Sequence, residues 1–111
     1  MKINVLMLAF GKDNEVRGVE VPDERLEGHI NIADDLNVAV VLDLVYHYGQ
    51  NDFQPQKNPS VSMADVIVYN DERYLVCGFG FRKLTQIEFD EFLKLPRVER
   101  SMSDLVRNPT L

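Results

Sequence analysis

At 111 residues, with 45% hydrophobic and 27% charged residues, the chain is long enough for one buried core, too short for two, and too apolar to be disordered. A net charge of −6 argues against duplex DNA or RNA as a ligand, because a negative field repels phosphate backbones. One cysteine, Cys77, excludes an internal disulfide and fits a reducing, cytoplasmic compartment.

Ile3 to Phe10 is an apolar run. It carries Asn4, is short, and leads into Gly11-Lys12-Asp13-Asn14-Glu15 without a small-residue cleavage pattern, so a buried central strand is expected rather than a signal peptide. No other stretch approaches about 18 apolar residues, so no membrane span is expected. After a turn at Gly11–Asn14, Glu15 to Val21 alternates polar and apolar residues as a half-exposed strand pairing back on the first, and Pro22 ends it. Asp23 to Asn31 is polar and irregular.

Asp34 or Asp35 is placed to cap a helix running to about Tyr48 and closed by Gly49. Its β-branched Val38, Val40, Val41 and Val45 leave a strand as the alternative, but the segment is longer than a typical strand. Gln50 to Ser60 reads as a loop. Val61 to Tyr69 and Arg73 to Phe79 read as a hairpin joined by Asn70-Asp71-Glu72. Thr85-Gln86-Ile87-Glu88 is a capping box opening a helix with Ile87, Phe89, Phe92, Leu93 and Leu95 for the core, closed by Pro96. Ser101 to Arg107 adds a short turn, and residues 107–111 are expected to fray. The order is β-β-α-β-β-α, and the expected fold is a single α+β domain: an antiparallel sheet of about four strands with helices on one face.

Four groups of residues bear on chemistry. Gly78-Phe79-Gly80-Phe81 shares its core with an RNA-recognition signature whose aromatics stack on bases, giving weak single-stranded RNA binding through Phe79 and Phe81 as one alternative; core filling is the structural one. Asp43 and His47, four apart on the helix, are half of a metal site at most, and a surface pair is expected instead. Cys77 lies inside an apolar strand, where a thiol packs as a small hydrophobe rather than acting with His47 as a nucleophile. Gly49 to Pro55, with Gln50, Asn51, Asp52 and Phe53, is a loop after a buried element, the kind of segment that carries recognition. No catalytic residue, metal ligand or cofactor is expected.

Ser60-Val61-Ser62-Met63-Ala64-Asp65-Val66, Tyr74-Leu75-Val76 and Gly80-Phe81-Arg82-Lys83-Leu84 together resemble the YodL-like domains of plasmid, transposon and phage proteins, including large polyvalent ones. The resemblance covers residues 60–84. It implies provenance, a mobile genetic element, and carries no established activity with it.

Residues 1–56 hold ten Asp or Glu against Lys2, Lys12, Arg17 and Arg25, whereas residues 57–111 hold eight of each sign. The expected function is therefore a non-enzymatic protein of a phage or mobile element that docks an acidic face onto a basic surface of a host nucleic-acid-handling protein. An anti-CRISPR or anti-restriction inhibitor is the concrete case. The partner-binding residues expected are Asp23, Glu24, Glu27, Asp34, Asp35, Gln50, Asn51, Asp52 and Phe53. The alternative is a structural homodimer using a sheet edge or the C-terminal tail.

Overall fold

In Lys2–Leu6 (β1), Ile3 and Val5 are buried while Lys2 and Asn4 are exposed, the period of two that a pleated strand imposes. β1 pairs antiparallel with Val16–Glu20 (β2) on one side and Val66–Tyr69 (β3) on the other, so it is interior. Glu72–Val76 (β4) folds back on β3 through Asn70 and Asp71. Both have positive φ (51° and 62°), as a two-residue hairpin turn matched to strand twist requires. Phe81–Leu84 (β5) completes one antiparallel sheet in the order β2-β1-β3-β4-β5. The computed structural model describes residues 1–50, 53 and 59–111. With Asp23–Leu26 (α1), Asp35–Tyr48 (α2), Gln86–Lys94 (α3) and Arg97–Arg100 (α4), the chain is α+β. Among the described residues no helix is long and apolar enough to cross a membrane.

The antiparallel α+β sheet is as expected, with five strands for the expected four or so, and helices cover both of its faces rather than one. The strand expected to run to Phe79 stops at Val76, and Gly78-Phe79-Gly80 turns the chain into β5. Gly80 stands at φ 78°, and a side chain there would run into the Leu111 carbonyl. On one face α2 packs Val38, Val41, Leu42 and Val45 against Val5, Ile67, Tyr74 and Val76. On the other, Phe89, Phe92 and Val106 cover Val66, Leu75 and Leu84. The reason lies in β3 and β4: Val66 and Leu75 point one way, Ile67, Tyr74 and Val76 the other, and all are buried. A sheet apolar on two faces needs two covers.

The segment 35–48 is the helix, not the strand its valines left open. Asp34 caps it by accepting from Asn37 N at 2.9 Å. Glycine is required at its C-terminal cap for a steric reason: the φ of Gly49, −80°, is ordinary, but a Cβ would collide with the Val61 side chain. The capping box forms as expected, with Glu88 N donating to Thr85 Oγ1 and Thr85 N donating to Glu88 Oε1. Within α3 only Phe89 and Phe92 are buried. Ile87 (72% exposed) and Leu93, both expected in the core, face outward. Ile87 lies about 200° around the helix from Phe89, so one stripe cannot bury both.

The C-terminal residues are not frayed. Thr110 N and Leu111 N donate to Phe81 O (2.8 and 2.9 Å), Phe81 N donates to Leu111 O (3.1 Å), and Lys83 N donates to Thr110 Oγ1 (3.0 Å). The tail thereby covers the outer edge of β5.

Candidate functional site

The expected acidic residues stand on two adjoining elements. Asp23 and Glu24 are on α1, Glu27 follows it, and Asp34 and Asp35 open α2. Leu26, buried in the core, and Ile30, packed against it, anchor the connecting segment. His29 Nδ1 bonds Asn37 Oδ1 at 2.9 Å and ties that segment to α2. All five carboxylates are exposed.

They divide by what they touch. Asp23 accepts from the N-terminal ammonium at 2.9 Å. Asp34 accepts from Asn37 N and, at 2.8 Å, from Asn37 Nδ2, and these bonds hold its carboxyl below the usual range. The carboxylates of Glu24, Glu27 and Asp35 engage no hydrogen bond or ion pair among the described residues. Three cations of the C-terminal half pair with carboxylates of that half: Arg82 with Glu88 at 2.7 Å, Lys83 with Glu72 at 3.7 Å, Arg107 with Asp104 at 3.9 Å. Arg73 donates to Gln86 and lies over the Phe89 ring, 4.2 Å from its centroid.

Phe53 stacks on His47 (4.8 Å) and Tyr48 (5.2 Å), and with Tyr48, Glu20 and Asp23 it lines a depression of about 430 Å³. The fold thus brings Phe53 beside Glu20 and Asp23. Gln50 has a structural role instead: its amide donates to Tyr46 O (2.7 Å) and Val61 O (3.1 Å), joining the end of α2 to the segment before β3. Asn51 and Asp52 lie outside the described residues.

Ser62 and Asp65, from the stretch that resembles the YodL-like domains, build backbone. Asp65 is fully buried and accepts from Ala9 N and Ser62 N, each at 2.8 Å. Burial pushes its carboxyl above the ordinary value against the pull of these N–H groups. Arg100, 4% exposed, reaches Leu8 O at 2.8 Å from the other side. Together they fix the chain after β1, where Ala9, Phe10, Met63, Ala64 and Val98 line a depression of about 450 Å³. Ala64 in its wall stands at φ 81°, an uncommon conformation for a residue with a Cβ.

Phe79 and Phe81 part company. Phe81 is 5% exposed in the core, and Phe79 is 89% exposed at the β4–β5 turn, so Phe79 neither fills the core nor pairs with Phe81 as a two-ring platform. Burial raises the Cys77 thiol to about 11, and its Sγ lies 3.6 Å from Leu105 O, which removes it as a nucleophile at neutral pH. Among the described residues no group of three His, Cys, Asp or Glu is placed to hold a metal ion.

No family model, no curated protein and no solved structure matches the chain. The site must therefore be read from its own geometry. Sequence reasoning missed a second surface, in which Phe10, Met63, Phe79 and, on α4, Val98 are all exposed. A usable signal was the glycine on each side of Phe79, which cannot supply a strand's packing and marks a turn tip.

Proposed function

We propose that the protein is a non-enzymatic binding module that docks the α1–α2 face onto a basic surface of another protein. The observation that carries this reading is that the carboxylates of Glu24, Glu27 and Asp35 are exposed and unpaired among the described residues, while the ion pairs of the C-terminal half close within that half. Unpaired carboxylates on a face held to the core by Leu26 and Ile30 steer a cationic partner and disfavour anionic ones. Phe53 and Tyr48, beside Asp23, supply aromatic surface where a lysine or arginine side chain would find both a ring and a carboxylate.

The resemblance of residues 60–84 to YodL-like domains adds a provenance to this reading: a phage or other mobile element, with a host protein that handles nucleic acid as partner. Nucleic-acid-handling proteins carry basic surfaces, and an acidic protein that covers one competes with the phosphate backbone. An anti-CRISPR or anti-restriction inhibitor is the concrete form.

Affinity capture from a host lysate, read by mass spectrometry, tests it. The wild-type chain should retain a basic nucleic-acid-handling protein at low salt and release it as salt rises. The E24K/E27K/D35K variant should retain none while melting at the wild-type temperature. Equal capture by both removes this face from consideration.

A further inference from the structure

A second surface lies at the end of the sheet where β1 and β4 finish and β5 begins. Its apolar residues are Val98 (79% exposed), Phe10 (67%), Met63 (38%), Phe79 (89%) and Tyr46 (39%). They line two depressions, and Met63 belongs to the lining of both, so the two adjoin at that residue. Scattered exposed apolar residues are ordinary; a stripe with two phenylalanines mostly in solvent is not. Its framework is rigid, because the buried Asp65 and Arg100 hold the backbone that carries Phe10.

The charges on this stripe say what covers it. Among the described residues, Arg97 is the only ionisable one lining the first depression, and Asp43 the only acidic one lining the second. Both are exposed, and neither forms an ion pair among the described residues. Met63 lies at the join, with Arg97, Val98 and Phe10 on one side and Asp43, Tyr46 and Phe79 on the other. A stripe with a cation at one end, an anion at the other and a shared residue between is complementary to itself after a half-turn. Strand pairing across β5 is closed by residues 110–111, so two copies meet by side chains here, not by backbone.

We infer that two copies of the chain associate through this stripe about a two-fold axis near Met63. Arg97 of each copy then meets Asp43 of the other, and Phe10 and Val98 pack against Phe79 and Tyr46. Such an interface is isologous, the arrangement of most soluble dimers, with an apolar centre and charges at its rim. It uses Asp43 and Tyr46 of α2 but none of Glu24, Glu27 and Asp35, the carboxylates proposed for the other surface.

Sedimentation velocity of the full chain, from low-micromolar to near-millimolar concentration, tests the inference. The wild type should pass from monomer to dimer and no further. Phe79→Ser, at a position too exposed to affect folding, should stay monomeric with an unchanged melting temperature. R97E and D43K should each weaken dimerisation by about tenfold or more, through two repulsive contacts per dimer. The double variant R97E/D43K should recover it, because the swapped charges meet again. A wild type that stays monomeric throughout overturns the inference and gives the stripe to a different protein. A dimer indifferent to Phe79→Ser, or a charge swap that fails to recover association, overturns it as well.

Discussion

Asp65 and Arg100 bind opposite sides of one peptide group. The Ala9 N–H donates to Asp65 Oδ1 at 2.8 Å, and the Leu8 carbonyl of the same peptide accepts from Arg100 Nη1 at 2.8 Å. Both side chains are buried, and they are drawn from positions 35 residues apart. Each charge is therefore neutralised through a backbone dipole rather than by direct contact. Removing either leaves a buried backbone group unsatisfied.

Asp65→Ala should accordingly destabilise the fold by about 2–4 kcal/mol, since it orphans the buried donors of Ala9 and Ser62. Urea denaturation measures this. Combined with Arg100→Met, the losses should be non-additive by more than about 0.5 kcal/mol, because both act on one peptide. Strict additivity would show that the two side chains work separately.

Asp65 and Glu88 should titrate with opposite consequences. The folded carboxyl of Asp65 lies above its ordinary value of 3.8, chiefly by burial, so its contribution to stability is fully present below that pH and is lost as pH rises through the folded value. Glu88 lies below its ordinary 4.5, held first by the Thr85 N–H and then by Arg82, so its contribution is present above 4.5 and is lost on acidification through the folded value. Denaturant midpoints taken across the acid range should show Glu88→Gln flattening the acid-side fall of the wild type. Asp65→Asn should remove the opposing decline. Matching profiles for the two variants would contradict the assignments.

Cys77 should resist modification in the native state. Its thiol is 6% exposed and raised to about 11, so a thiol reagent at pH 8 finds neither access nor thiolate. Reaction with such a reagent should be slow in buffer and fast in denaturant. A native rate close to the unfolded one would mean that the segment around Cys77 opens readily.

The two phenylalanines of Gly78-Phe79-Gly80-Phe81 should behave differently in thermal melts. Phe81→Ala, in the core, should cost about 3–5 kcal/mol. Phe79→Ala should leave the melting temperature of dilute protein nearly unchanged. A large loss for Phe79 would place it in a contact that the fold described above does not contain.

The carboxylates of the acidic face should separate by role. Asp34→Ala removes the cap of α2 and should lower the melting temperature by several degrees, whereas Glu24→Ala and Glu27→Ala should not. Far-ultraviolet circular dichroism during thermal melting reads the difference.

The sequence by itself determined what depends on neighbours within a few positions. Asp34 at the start of α2, the Thr85–Glu88 box and the Asn70-Asp71 turn are local rules, and each acts within one turn or one strand pair. The acidic bias of the first half is also a property of the sequence. Tertiary structure decided the rest. It decided that β3 and β4 bury both faces, that residues 110–111 seal β5, that Phe79 stands outside while Phe81 goes in, and that Arg100 reaches back to Leu8. Those outcomes rest on contacts between residues far apart in the chain, and a side chain's environment there is set by which distant surface closes over it, not by the residues beside it.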